Sequence, residues 1–171
     1  MADHKPPFMP VEPKLEFAFE VRVRFYRTPK IENIPQGGDR GYVGVEGGTF
    51  EGPNIKGTVV PNSGGDYAHF RPDGVTSFEA CYLLEVDDGT RILLNNRGYS
   101  WFRNAESEKE WKAIESGKKQ GTAVDPAGYY MRTYPTFHTS KGKHDWLTKT
   151  VIVGSGAREL GGNVIRYYKV V

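Results

Sequence analysis

Between Leu15 and Tyr26 the chain alternates without a break: Leu15, Phe17, Phe19, Val21, Val23 and Phe25 are separated by Glu16, Ala18, Glu20, Arg22, Arg24 and Tyr26. A period of two is the geometry of a β-strand, whose successive side chains leave opposite faces, so this stretch predicts a long strand with one buried face. Such a strand needs partners. Strand-like stretches follow at residues 40–48, 49–60 (broken at Gly52-Pro53), 76–86, 90–102, 129–137, 146–154 and 163–171. Asp87-Asp88-Gly89 reads as a hairpin turn, as do Pro61-Asn62-Ser63-Gly64-Gly65, Lys141-Gly142-Lys143 and Gly161-Gly162, while Gly154-Ser155-Gly156 reads as another turn. The 21 glycines, 11 prolines and 22 aromatics (9 Phe, 10 Tyr, 3 Trp) suit short strands and tight turns better than helices.

In 76–86 and 90–102 apolar residues fall on both faces, as Leu83-Leu84 and Ile92-Leu93 show, so both faces are partly covered. The reading is an all-β protein, a single antiparallel closed β-barrel of roughly eight to ten strands. One insertion departs from it. In residues 104–125, Ser107 and Glu110 are spaced as a capping box, Trp111 and Ile114 share a face, and Gly117 can end a short helix. A chain of 171 residues fits one domain, with residues 1–13, which carry prolines 6, 7, 10 and 13, as an N-terminal arm and 14–171 as the barrel.

Twenty-three basic against 21 acidic residues leave a charge of +2, which argues against nucleic acid as a partner. No apolar run approaches the roughly 18 residues that span a bilayer, and residues 1–17 lack a basic and then apolar leader pattern, so neither a membrane nor export is expected and a cytoplasmic location is. The lone Cys81, among apolar neighbours, is expected to be an inert core residue. His69, His138 and His144 have no paired-ligand spacing, no serine sits in a G-x-S-x-G elbow, and GGDRGYVGVEGG lacks phosphate-loop spacing. Neither metal nor cofactor is expected.

Two stretches concentrate groups able to do chemistry. In GGDYAHFRPDG, extended geometry sends Asp66, Ala68 and Phe70 to one face and Tyr67, His69 and Arg71 to the other. The neighbouring strands add Tyr82 and Asn96. In YYMRTYPTFHTSKGKHDWL, Tyr130, Arg132 and Tyr134 share a face, near Phe137 and Trp146. An arginine between two tyrosines can offer a donor fork to a carboxylate or enolate, or can form an exterior ladder beside a subunit contact.

The motifs VEGGTFEGPNIKGTVVPNSGGDYAHFRPDGV, EVDDG, NNRGY, YYMRTYPTFHTSKGKHDWL and TVIVGSGAR, in this order, resemble the small bacterial and fungal proteins grouped as domain of unknown function 3237. The resemblance runs from about Leu15 to the C-terminus, with Tyr67 where tryptophan stands in many relatives. It implies a compact antiparallel barrel similar to calycins and to allene oxide cyclase and dirigent proteins, and it emphasises Gly65-Asp66, Asp73-Gly74, Asp88-Gly89, Tyr130-Arg132 and Trp146-Leu147. It supplies no activity.

The functional expectation is a cofactor-independent isomerase, cyclase or lyase acting on a small, partly apolar molecule (aromatic, terpenoid or polyketide-like) in the barrel. Asp66, Arg132 and Tyr130 are the expected catalytic residues, and Tyr82, Asn96, Arg71, Tyr134, Phe137 and Trp146 the expected substrate-binding ones. The alternatives are a lipocalin-like carrier using the same lumen and a homodimeric interaction protein with a filled barrel.

Overall fold

In a computed structural model, which describes residues 8–171, the chain is a closed antiparallel β-barrel with one helix. Residues 1–7 of the expected N-terminal arm lie outside the described residues, and Phe8, Met9 and Val11 are exposed without regular structure. The strands are β1 (Leu15–Arg27), β2 (Asp39–Gly52), β3 (Ile55–Val59), β4 (Gly65–Phe70), β5 (Thr76–Val86), β6 (Arg91–Phe102), β7 (Tyr129–Thr139), β8 (Ile152–Glu159) and β9 (Gly162–Val170), with helix α1 (Ala105–Glu115) between β6 and β7. β1 pairs with both β2 and β9, which closes the wall. Strands β3 and β4 share one place in it, because Gly48–Gly52 of β2 pairs with β3 and Asp39–Gly44 with β4, while β5 pairs with both. The wall therefore has eight strand positions.

The break between β3 and β4 follows from Pro61, which has no N–H to donate, and from Asn62, whose φ of 54° is left-handed. The loop is stitched back by side-chain chemistry. Val60 N–H donates to Leu83 O (2.9 Å), and the Ser63 hydroxyl both accepts from Leu83 N–H (3.0 Å) and donates to Val60 O (2.7 Å). Ser63 so replaces a missing ladder partner and sets where β4 begins.

The long alternation of β1 is interrupted. Its pairing with β9 slips between Phe17 and Phe19, so Phe19, Val21 and Val23 face inward while Phe17 lies outside, edge-on to Tyr168 and beneath the Arg166 guanidinium. A bulge at Ala18 reverses the face that strict alternation predicts. Three other expectations change. β2 runs through Gly48 and Thr49 as one strand, Asp145–Thr148 is a short 3-10 helix, and Gly154-Ser155-Gly156 is the middle of β8 instead of a turn. A Cβ at Gly154 would sit 2.2 Å from Thr133 Oγ1, and one at Gly156 2.6 Å from Met131 Sδ. Both glycines point inward, where neighbouring side chains fill the space a Cβ would take. Cys81 lies on the outer side of β5, half-buried, between the inward Ala80 and Tyr82.

The two ends of the barrel differ. One is packed solid by Phe19, Phe50, Leu84, Ile92, Phe137 and Tyr167, with Leu147 sealing it from the 3-10 helix. At the other end α1 lies across the opening, burying Trp111 and Ile114 against Tyr129 and Met131. Its N-cap is Asn104, whose side chain accepts from Ser107 N–H (2.8 Å), so the helix starts one turn before the expected Ser107 cap; Gly117, at φ 73°, ends it.

Replacing Ser63 by alanine is expected to leave Leu83 N–H without its partner and to lower the unfolding free energy by about 1–2 kcal/mol. The readout is a lower urea midpoint at unchanged m value.

Candidate functional site

Around the ring, the inward positions near the helix-covered end are those at the C-terminal ends of β1, β4, β6 and β8 and the N-terminal ends of β2, β5, β7 and β9, with Asp66, Ala80 and Asn96 in register deeper in the wall. They enclose a cavity of about 110 Å³, partly open beside α1. Its apolar walls come from Phe25, Phe78, Met131, Trp111 and Ile165, and its polar lining includes Asp66, Tyr82, Asn96, Ser100 and Arg158, with Arg27, Lys30 and Glu159 also bordering it. Each polar group stands where alternation from a neighbouring packed residue places it. Asn96 and Ser100 continue the inward row Ile92, Leu94 on β6, and Arg158 continues Ile152, Gly154, Gly156 on β8.

Asp66 is the first inward side chain after the Ser63 stitch. One carboxylate oxygen, Oδ1, accepts the Glu79 backbone N–H at 2.8 Å. Burial pushes its pKa up to about 6, outweighing that hydrogen bond and the pull of Arg40. Such a carboxyl changes its charge near neutral pH. Burial, and then the Asp66 charge, push the Tyr82 phenol up, so Tyr82 remains a donor. Its hydroxyl nevertheless has no partner, and neither does Asn96 Oδ1, although both residues are only 2% exposed. Buried polar groups in that condition usually await a water or a ligand.

Arg158 was not apparent from the sequence. It follows the glycine pair that resembled a turn, and an arginine near a turn reads as solvated. The structure carries it inward. Its backbone N–H donates to the Tyr129 hydroxyl (2.8 Å), which supplements a β7–β8 ladder of only two residue pairs. Its Nη2 donates to Ser100 Oγ (2.8 Å), and the guanidinium lies 5.7 Å from the Phe102 ring centre and 5.9 Å from that of Trp111. Burial lowers its pKa from the ordinary value.

The expected catalytic trio is not assembled. Arg132, Tyr130 and Tyr134 stand on the outside of β7, alternating with the inward Met131 and Thr133. Tyr130 stacks on Trp101 at 3.8 Å and Arg132 lies 5.2 Å over the Tyr130 ring, which is the exterior-ladder alternative. The wall thus separates Arg132 from Asp66. Arg71 is in the exposed turn after β4, paired with Asp73; Phe137 is inside but in the packed end; Trp146 packs against that same end from outside the barrel. Only Asp66, Tyr82 and Asn96 of the expected residues line the cavity. Among the described residues no group of three His, Cys, Asp or Glu side chains converges to hold a metal ion.

A family model described as protein of unknown function (DUF3237) matches residues 13–170. A UPF0311 protein of Rhodopseudomonas palustris is 31% identical over 157 residues, covering 89% of this chain and 97% of its own. Among solved structures, a conserved protein of unknown function from Rhodopseudomonas palustris superposes with a TM-score of 0.82 at 28% identity, over 95% of this chain and all (100%) of its own. A β-barrel-like protein from Acinetobacter baumannii gives 0.79 at 31% identity, over 96% and 99%. A protein described as an enzyme from Penicillium herquei gives 0.64 at 22% identity, over 97% and 100%, a likeness of fold alone.

Because the folded state holds the Asp66 proton up to about pH 6 and the unfolded chain releases it near 3.8, this group makes stability fall as pH rises from about 4 to about 6. Asp66→Asn is therefore expected to stabilise the protein by about 1–3 kcal/mol at pH 7.5 and to change nothing at pH 3.5. Thermal melts at the two pH values measure it.

Proposed function

The chain belongs to the family described as protein of unknown function DUF3237, and from the geometry of its lumen we propose that it is a cofactor-independent enzyme that moves a proton on a small, partly apolar molecule, as in an isomerisation, cyclisation or elimination. The observation that carries this reading is Asp66, a carboxyl with a pKa of about 6 facing an apolar-walled cavity beside two unpaired polar groups. A general base works best when its pKa lies near the operating pH, and burial is the largest cause that brings this one there.

Asp66 takes the proton from a C–H or O–H acid of the substrate. The Glu79 N–H holds the carboxylate by one oxygen, which leaves Oδ2 to accept. The Tyr82 hydroxyl and Asn96 Oδ1, both lacking partners, orient the substrate beside it. Helix α1 limits water over the opening, which strengthens these contacts. A neighbour in fold is described as an enzyme, which supports chemistry in a barrel of this shape, though fold and activity are separable. The second reading, a carrier, is favoured by the same coverage of the cavity by α1, which needs no turnover to hold a ligand.

The test is solvent-deuterium exchange into a panel of enolisable aromatic and cyclic ketones, followed by mass spectrometry. The enzyme reading expects accelerated exchange in at least one compound, rising with an apparent pKa near 6, and a loss of about 10²-fold or more in Asp66→Asn. Unchanged exchange in that variant removes Asp66 as the base; binding without exchange returns the carrier.

A further inference from the structure

The lumen holds a guanidinium, Arg158, that no carboxylate contacts directly; Glu115 of α1, whose charge reaches it, is itself hydrogen-bonded to Arg27. Seven arginines (Arg22, Arg24, Arg27, Arg71, Arg91, Arg97 and Arg166) have a carboxylate within 4 Å. Arg158 has none, among the described residues. Its neighbour in sequence, Glu159, also borders the cavity but pairs with Arg22 (3.8 Å) and not with Arg158. The one side-chain partner of Arg158 is the neutral Ser100 hydroxyl, and its Nε is closed off from solvent without an acceptor. An unpaired guanidinium in such a place is costly, and a planar donor group between aromatic rings is suited to an anionic oxygen acceptor.

We propose that the ligand of this barrel is an organic acid whose anionic oxygens, a carboxylate or a phenolate, dock on Arg158 against Phe102 and Trp111, with the rest of the molecule extending across the lumen towards Asp66. This rests on the lumen being the ligand site, as in the function proposed above. The placement of the two charges fixes the direction. Around the wall, in the order β1, β2, β3/β4, β5, β6, β7, β8, β9, Asp66 on β4 and Arg158 on β8 stand four positions apart, half of the eight-position circuit. An ionised Asp66 repels the acid group and Arg158 attracts it, so the anion sits on the β8 side and the less polar part of the molecule meets the carboxyl. The intervening wall of Phe25, Phe78 and Met131 suits carbon. An inorganic anion would leave that part of the cavity uncovered.

The test compares binding of acids with neutral counterparts by calorimetry at pH 7.5: benzoate and 1-naphthoate against their primary amides, and 4-nitrophenolate against 4-nitroanisole, so that the two arms separate carboxylate from phenolate. At least one acid is expected to bind about tenfold or more tightly than its counterpart. Arg158→Gln should abolish that preference, and Arg158→Lys, which keeps the charge without the fork, should retain part of it. Asp66→Asn should preserve or strengthen acid binding even where it abolishes exchange, which keeps failure of the anchor distinct from failure of the base. Amides that bind as well as acids, a preference that survives in Arg158→Gln, or no binding of any acid would each overturn the proposal. The wild-type comparison needs no variant and stands even if Arg158→Gln does not fold.

Discussion

The whole structure depends on β1 being hydrogen-bonded along both edges, to β2 and to β9. Closure removes the unpaired edges of an open sheet and commits every second side chain to one enclosed interior. What remains inside is then a matter of side-chain volume. Toward one end the inward rows carry Phe19, Phe50, Leu84, Phe137 and Tyr167, and no room is left. Toward the other they carry Asp66, Ala68, Ala80, Asn96 and Ser100, residues too small or too polar to close the space.

That half of the barrel is built against its own stability. A carboxyl with a raised pKa, a phenol and an amide oxygen without partners, and a guanidinium that no carboxylate contacts directly are gathered where aliphatic side chains would pack better. Natural proteins tolerate such arrangements chiefly at functional sites. The compensation is local: the Ser63 stitch holds the start of β4, the Tyr129 hydroxyl holds the backbone of Arg158, and α1 lays Trp111 and Ile114 over the opening. The outer aromatic ladder of Trp101, Tyr130 and Arg132 braces β6 against β7 from the other side of the same wall.

Strand-forming stretches and most hairpins were legible in the chain because period-two alternation and turn residues are local signals. The β5–β6 hairpin at Asp88-Gly89, the helix around Trp111 and the split of Asp66, Ala68 and Phe70 from Tyr67, His69 and Arg71 all follow from neighbours in sequence. Misreadings fell where a local signal has two structural meanings. Gly-Ser-Gly at 154–156 resembles a turn, yet glycine also occurs where two inward rows approach too closely for a Cβ. The slip at Ala18 leaves no mark in an unbroken alternation, and so Phe17 was placed on the wrong face.

The amino-acid sequence by itself determined an antiparallel barrel with one inserted helix, its family resemblance, and that Asp66 and Ala68 must share a face. Which face was interior, and therefore whether Arg132 or Arg158 meets the same chamber as Asp66, only the tertiary structure decided. Alternation defines two sides of a strand but not their inside and outside; that is set only when β1 closes the ring against β2 and β9, a pairing that neither arginine's neighbours in the chain announce.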